Sequence, residues 1–318
     1  MTALEENELG QPADTGPPAA PVPAIGGGAP APAPDPAPRA VRGPRQTARP
    51  LSPGRAFSLG ICLLGVFLLG FAVYLFGLSG VQEARSQSTL YTRLKNELAA
   101  GTAPTGSTAP GSPVAVLNAP SIGMSDLVVV EGTSPEELTL GPGLLRNTPL
   151  PGQDGVSVIY GRRATFGAPF ANLTSLRKGD IIRVTTGQGT SSYQVAAFGS
   201  SARTVQDPSA NRLILLTAGS ATVPAYYSYV DADMLSKAKS GPGILAAIYS
   251  DEAALSSDGG ALVLTALWAI ALAMISIAGT IAAMRWSPPL AYLCVAPVAL
   301  AVLWNLYENL AALLPNVY

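Results

Sequence analysis

The chain has 318 residues, of which 48% are hydrophobic and 12% are charged, and its formal net charge is −1. A balance this close to neutral argues against a nucleic-acid partner and against a polybasic membrane-surface patch. The sequence contains no histidine and only two cysteines, Cys62 and Cys294. Both cysteines lie inside long apolar runs, where we expect small packing residues rather than a catalytic thiol or an external disulfide. We expect no metal and no cofactor.

Residues 1–56 are rich in proline, alanine and glycine and contain almost no aliphatic clusters. Such a segment cannot bury enough apolar surface to offset its chain entropy, so we predict a disordered cytoplasmic tail. The run 57–80 has no charged residue and is long enough to cross about 30 Å of hydrocarbon as a helix. Arginines precede this run, and the positive-inside rule therefore places the N-terminus in the cytoplasm.

Two further apolar runs, 260–284 and 289–314, close the sequence. Arg285 and two prolines separate them and predict a short cytoplasmic turn. The chain is therefore predicted to cross the plasma membrane three times, with residues 81–259 and the C-terminus on the extracytoplasmic side. In the third run, Asn305, Glu308 and Asn309 share one helix face. This face is either a docking surface for a membrane partner or a polar edge at which Glu308 reaches the headgroups.

The region between the first two spans divides into four parts. Charges at helical spacing that end at Gly101 predict a stalk helix, and a flexible linker rich in Gly, Ser, Thr and Pro follows, so that residues 81–113 form the stalk and linker. Residues 114–235 contain six or more short apolar or alternating runs separated by turns, among them "VSVIYG", "DIIRVTT" and "RLILLTA". This pattern is typical of a closed or nearly closed β structure. Residues 236–259 form a second connector.

Three stretches of this β region, taken in order, resemble the sortase family. They are "APSIGMSDLVVVEGTSPEELTLGPGLLRNTPLPGQDGVSVIYG", "GAPFANLTSLRKGDIIRVTTGQGTSSYQV" and "RLILLTA", and the likeness is class E-like. The resemblance implies a closed β-barrel of about eight strands, held outside the membrane. It also implies transpeptidation, in which a cysteine thiolate attacks the threonyl carbonyl of a sorting signal such as Leu-Pro-x-Thr-Gly. A histidine then protonates the leaving amine, and an arginine stabilises the oxyanion.

Carried over by position, the resemblance places Arg162 where the family has its histidine, Ala218 where it has its cysteine, and Tyr227 near its arginine. Alanine has no nucleophilic atom, and a guanidinium stays protonated and cannot shuttle a proton. A tyrosine supplies no fixed positive charge to an oxyanion. The resemblance therefore implies a catalytically degenerate pseudo-sortase, in which Ser220 is the one alternative nucleophile.

The same region supplies the binding candidates. Arg162 and Arg163 are expected beside the former substrate groove, where they hold a carboxylate, a phosphate or an acidic loop of a partner. Alternatively, Arg162 is solvated or pairs with a local acid. Ser220, Tyr227 and Tyr229 complete the set, and the two tyrosines share one face of a strand as an aromatic interface or as ordinary barrel packing.

We interpret the chain as a non-catalytic scaffold or accessory subunit of a cell-envelope complex. Its expected partner is a membrane protein: a transporter permease, a true sortase or an envelope protein. The alternative is an extracytoplasmic peptide-binding or sensing module that recognises a sorting-signal-like ligand. A transpeptidase with an altered nucleophile is the third interpretation.

Overall fold

The computed structural model describes residues 53–204, 209–220, 225–242, 250–285 and 288–318. The prediction of a disordered tail therefore lies almost entirely outside the described residues. Of the predicted second connector, residues 243–249 lie outside them as well.

The first span and the predicted stalk form a single helix. Helix α1 (Pro53–Val73) continues through a π-helical turn (Tyr74–Leu78) into α2 (Ser79–Ala100). The helix stops at Gly101, whose left-handed φ of 66° is the usual glycine end cap. The predicted span and stalk thus share one rigid axis.

Two more helices, α3 (Ala261–Arg285) and α4 (Pro288–Ala312), pack against each other. Together with the α1–α2 helix, they are the three helices in the described part of the chain that are long and apolar enough to cross a membrane. Tyr307 of α4 joins the spans, because its hydroxyl donates to the carbonyl oxygen of Phe67 in α1 (2.9 Å). Cys62 and Cys294 lie on exposed helix surface rather than in the interior predicted for packing residues.

The region between the spans is a closed barrel of eight strands in the order β1-β2-β3-β4-β7-β8-β6-β5. The strands are β1 (Pro113–Ala119), β2 (Met124–Glu131), β3 (Gly143–Leu144), β4 (Val156–Tyr160), β5 (Ile181–Thr186), β6 (Gly189–Ser200), β7 (Arg212–Ala218) and β8 (Tyr227–Met234). Their alternating residues fill the interior, as Leu213 and Leu215 of β7 and Val230 of β8 illustrate. The predicted fold class, a closed barrel of about eight strands with three apolar helices, is confirmed.

Helix α2 lies directly against the barrel. Leu94 is completely buried beside Val116 and Val128. Gln87 pairs with the backbone of β2: its Nε2 donates to Val128 O (3.1 Å) and to Leu140 O (2.8 Å), and its Oε1 accepts from Val128 N (2.8 Å). These bonds satisfy strand groups that β3, which is only two residues long, does not reach.

The predicted linker also contacts the barrel instead of hanging free. Gln153 Nε2 donates to Thr105 O (2.7 Å), and Ser107 Oγ donates to the carboxylate of Glu131 (3.1 Å). The barrel is therefore held to α2 in two ways. It contacts the helix directly, and it contacts the linker that follows the helix.

Candidate functional site

The predicted site residues converge because β4 and β7 are parallel neighbours. Tyr160 of β4 is in register with Leu216 of β7, so the residues after β4 meet the end of β7 at Ala218. Strand β8 is antiparallel to β7 and brings Tyr227 opposite Ala218. On the outer face of these three strands lies a surface that we call the Ala218 groove. It is formed by Tyr160, Leu216, Ala218, Tyr227 and Tyr229.

The turn out of β4 has little room. A Cβ on Gly161 would lie 2.4 Å from Cδ2 of the Phe170 ring, so only glycine fits there. Thr217 Oγ1 donates to Gly161 O (2.9 Å), and Phe170 N donates to Arg162 O (3.1 Å). These contacts fix the backbone from which Arg162 and Arg163 project in opposite directions.

Arg162 is fully buried, which differs from both expectations for it. Its guanidinium donates to Leu138 O (3.2 Å), Pro135 O (3.3 Å) and Thr165 Oγ1 (3.3 Å). The Phe166 ring covers it, with the ring centre 4.7 Å from Cζ. Burial lowers its pKa to about 10, against a small opposing effect of Tyr74, so the side chain keeps its charge at neutral pH. Arg162 therefore clamps the loop after β2 onto the barrel and does not line the groove.

Arg163 is the arginine that reaches the groove. Its Nη1 donates to Ala218 O (2.8 Å), and its Nη2 donates to Thr174 Oγ1 (3.4 Å). A positive charge is thus present at the end of β7, although it comes from the turn after β4 and not from β8. The resemblance places the family's arginine near Tyr227, so nothing in the sequence indicated that Arg163 supplies this charge.

The Ala218 groove is filled by the chain itself. Residues 314–318, which we call the LPNVY segment, follow α4 and cross the groove. Val317 is 0% exposed and packs against Ala218 in the cluster that also contains Leu138 and Leu145. Its carbonyl oxygen accepts from Ala218 N (3.3 Å) and from Arg163 N (3.1 Å). The position that the resemblance aligns with the family's nucleophile is therefore covered by a turn of the same chain, in which Tyr318 N donates to Pro315 O (3.0 Å).

Asn316 anchors the same segment from the other side. It is fully buried, and its Nδ2 faces three carbonyl oxygens, those of Thr133 (3.1 Å), Ala253 (3.0 Å) and Asp251. Its backbone N donates to Ser256 O (2.9 Å). The segment thus joins the end of β2 to the chain that leads into α3. The sequence did not indicate any role for this segment. Its proline was a visible signal that the apolar helix ends there.

The remaining groove candidates have different surroundings. Tyr227 and Tyr229 are partly buried and pack against the same cluster as Ala218 and Val317, on one face of β8 as predicted from the alternation. Ser220 follows β7 and is half-buried.

A buried carboxyl group lies at the end of β2. Glu131 at the end of β2 is 2% exposed, and burial raises its pKa to about 7 against the opposing effects of Ser107 and Arg146. Glu252 adds to the upward shift, and its carboxylate lies 3.8 Å from Arg146. In the described part of the chain, no group of three or more His, Cys, Asp or Glu residues is arranged to hold a metal ion.

The membrane docking candidates point mostly inward. Glu308 Oε1 accepts from Gln82 Nε2 of α2 (3.1 Å), and Asn309 lines the same cavity of about 560 Å³ between α2, α4 and the loop after β2. The amides of Asn305 and Asn309 donate to their own helix, at Ala301 O and Asn305 O (both 2.8 Å). This face of α4 therefore contacts α2 and the loop after β2 of the same chain.

The loop after Arg163 ties the barrel to the helices. Phe166 is 1% exposed and packs with Tyr74, Tyr307 and their neighbours at the π-helical turn. Its backbone N donates to Ser79 Oγ (3.0 Å), and its φ is 49°, a strained value for a bulky residue. Such strain persists only where the surrounding contacts hold it, so this loop is a fixed joint.

Comparison with known proteins identifies the barrel. Residues 117–229 match the model of the sortase domain, and no curated protein matches the chain. Among solved structures, a Clostridium perfringens Sortase D5 transpeptidase is 18% identical, with a TM-score of 0.41, covering 48% of this chain and 99% of its own. Sortase E from Streptomyces avermitilis is 29% identical, with a TM-score of 0.35, covering 41% and 91%. On the match to the family model, residues 117–229 of this chain form a sortase domain.

Proposed function

We propose that this chain is a non-catalytic sortase-like protein that serves as a membrane-anchored scaffold or accessory subunit of a cell-envelope complex. One observation carries the proposal: Ala218 at the end of β7, which the resemblance aligns with the family's nucleophile, is covered by Val317 of the same chain. A groove whose reactive position is apolar and already occupied is suited to holding a structure, not to turning over a substrate.

The chemistry near Ala218 supports this proposal. The chain has no imidazole, and both thiols lie in the apolar helices. The guanidinium of Arg162 is engaged by two backbone carbonyls, and a guanidinium does not exchange protons at neutral pH. Arg163 could stabilise an oxyanion, but a charge stabiliser without a nucleophile and a proton donor does not complete acyl transfer.

The attachment of the barrel supports the scaffold role. Gln87 and Leu94 fix the barrel to α2, Phe166 fixes it to the π-helical turn, and Tyr307 fixes α4 to α1. A barrel held in this way keeps a constant position relative to the three spans. We propose that it lies on the extracytoplasmic side, with the N-terminus in the cytoplasm, as the positive-inside rule indicates. A transporter permease, a true sortase or an envelope protein is the proposed partner.

The test is affinity purification of the tagged full-length chain from its native membrane in mild detergent, with partners identified by mass spectrometry. We expect one stoichiometric membrane partner. Two deletions, of residues 314–318 and of residues 260–318, locate its contact. Loss of the partner only with the larger deletion assigns the docking to α3 and α4, and loss with both assigns it to the covered groove. Recovery of the full-length chain alone would overturn the scaffold role.

Peptide binding is the second candidate function. The observation that favours it is that the Ala218 groove already holds a short segment of the chain through backbone hydrogen bonds. The two functions are compatible, because a scaffold can recruit its partner through a peptide.

A further inference from the structure

The loop that ties the barrel to the helices has a left-handed backbone at three consecutive residues. The φ angles of Phe166, Gly167 and Ala168 are 49°, 72° and 48°. This conformation costs little at glycine but is unfavourable at phenylalanine and alanine. The loop therefore keeps it only while contacts with the helix hold it in place.

Those contacts come from the first turn of α2. Phe166 N donates to Ser79 Oγ (3.0 Å), and a Cβ on Gly80 would lie 3.5 Å from Gly167 N, so the two backbones are close together. Glu83 lies one turn further along the helix, on the same face. A Cβ on Gly167 would collide with Glu83 Oε2, which shows that the carboxyl group packs directly against the loop backbone.

Glu83 is buried in this contact without a compensating group. It is 8% exposed, and in the described part of the chain its carboxyl group forms no hydrogen bond or ion pair. Burial alone raises its pKa to about 7, because an ionised carboxylate would lose its hydration here and gain nothing in return. The residue follows the apolar run 57–80, so water can hydrate the carboxylate once the loop moves away.

The basic groups of the surrounding elements are engaged elsewhere. In the loop, Arg162 donates to two backbone carbonyl oxygens, and Arg163 donates to Ala218 O. Arg85 lies two residues after Glu83, on the opposite side of α2, and is exposed. None of these guanidinium groups pairs with the buried carboxyl group.

The acidic and phenolic groups nearby do not bond to it either. In α4, Glu308 is hydrogen-bonded to α2 and Tyr307 is hydrogen-bonded to α1. In the loop after β2, Glu136 is exposed and Glu137 is bonded within its own turn. Tyr74 is buried with the Phe166 ring, and its hydroxyl has no hydrogen-bond partner among the described residues. A charge on the carboxyl group would therefore be unpaired in the closed contact.

We propose that Glu83 and the loop 164–168 form a proton-controlled latch between α2 and the barrel. With the carboxyl group protonated, the loop stays on α2 and the Phe166 ring stays among the helices. Ionisation of the carboxyl group releases the loop and removes this end of the attachment, while the contacts of Gln87 and Leu94 further along α2 remain. The latch goes beyond the scaffold role, since it needs neither a partner nor a ligand.

The direction and size of the effect follow from one proton. The closed latch holds that proton with a pKa of about 7, whereas the hydrated carboxyl group has the usual value of 4.5. The preference for the closed form is therefore complete below pH 4.5 and is lost as the pH rises through 7. Between pH 5 and pH 8, the opening equilibrium should rise roughly 50-fold.

Hydrogen exchange of the full-length chain in detergent, followed in peptides that contain residues 164–168, measures the opening. Each rate is divided by the intrinsic exchange rate at the same pH. We expect the parent loop to open roughly 50-fold more at pH 8 than at pH 5. Glu83→Gln keeps the shape of the protonated group and cannot ionise, so its loop should open equally at both. Glu97→Gln, which changes a carboxyl group paired with Arg93 on the same helix, is the matched control and should behave as the parent does.

A second variant covers the case in which Glu83→Gln does not fold. Gly167→Ala places a methyl group where the Glu83 carboxyl group lies, so its loop should be open at both pH values. A Gly167→Ala loop that closes in acid as the parent loop does would contradict the latch.

Three further results would overturn the proposal. The first is a parent loop whose protection is the same at pH 5 and pH 8. The second is a Glu83→Gln loop that opens with the pH dependence of the parent. The third is an equal rise of exchange in the barrel strands, which would show that the whole domain unfolds; a rise confined to the loop supports the latch.

Discussion

Replacing the buried arginine, by Arg162→Met, separates a structural clamp from a solvated groove residue. In the structure, the guanidinium donates to Leu138 O, Pro135 O and Thr165 Oγ1 and carries the Phe166 ring on one face. Methionine keeps most of the apolar volume and removes every donor. The two carbonyl oxygens then remain in a fully buried place without the donor that satisfied them.

The magnitude follows from these contacts. Each buried carbonyl left without a partner costs about 1–3 kcal/mol, and loss of the cation–π contact costs about 1 kcal/mol more. Removing a buried charge recovers part of its desolvation cost. The net loss should therefore be about 3 kcal/mol, which corresponds to about 10 °C in Tm for a chain of this size. Arg162→Lys keeps the charge but loses the planar fork, so its Tm should fall by a smaller amount.

Thermal unfolding of the purified chain in detergent, followed by intrinsic fluorescence, measures the effect. Arg93→Met is the matched control, because Arg93 is 57% exposed and pairs only with Glu97 on the same helix (2.8 Å). An exposed pair of this kind is worth about 0.5 kcal/mol. If Arg162→Met lowers Tm no more than Arg93→Met does, Arg162 is solvated, and the conclusion that it holds the loop after β2 against the barrel is wrong.

Three further substitutions test other parts of the molecule. Burial holds the pKa of Glu131 at about 7 instead of 4.5, so the folded chain binds an extra proton in that window and loses about 3 kcal/mol of stability as the pH rises through it. Glu131→Gln should reduce this dependence in unfolding curves between pH 4 and 8, whereas Glu136→Gln at an exposed position should leave it unchanged. Phe166→Ala should cost about 3–5 kcal/mol and speed proteolysis between barrel and helices, and Phe198→Ala, at 39% exposure, should do neither. A sorting-signal reporter peptide should stay uncleaved with the parent and with Ser220→Ala; an acyl adduct that disappears in Ser220→Ala would establish catalysis instead.

The barrel could be predicted because its signals are local. In β7, seven consecutive residues show the alternation. Leu213 and Leu215 point into the barrel, and Leu216 and Ala218 point to the groove. A period of two fixes which side chains share a face, whatever the rest of the chain does. The three spans are similarly local, since length and hydropathy suffice to predict them.

The contents of the groove could not be predicted in this way. Val317 and Ala218 meet only because α3 and α4 return the chain to the barrel, and no local pattern encodes that contact. The burial of Arg162 depends on carbonyl oxygens at residues 135 and 138, whose positions the loop conformation sets. Arginine is normally exposed, so sequence reasoning assigned it to solvent or to a ligand. The contact between Val317 and Ala218 and the burial of Arg162 both depend on how distant parts of the backbone are placed, which no local pattern encodes.

The continuous helix from residue 53 to residue 100 acts as a lever. At 1.5 Å per residue it is about 70 Å long, so a change of 10° in its tilt moves one end by about 12 Å relative to the other. Leu94 and Gln87 fasten the barrel to the part of this helix that follows the apolar run 57–80. A bilayer that becomes thinner tilts such a helix. The barrel must then swing as a rigid body, and the thickness of the surrounding lipid sets where its groove stands.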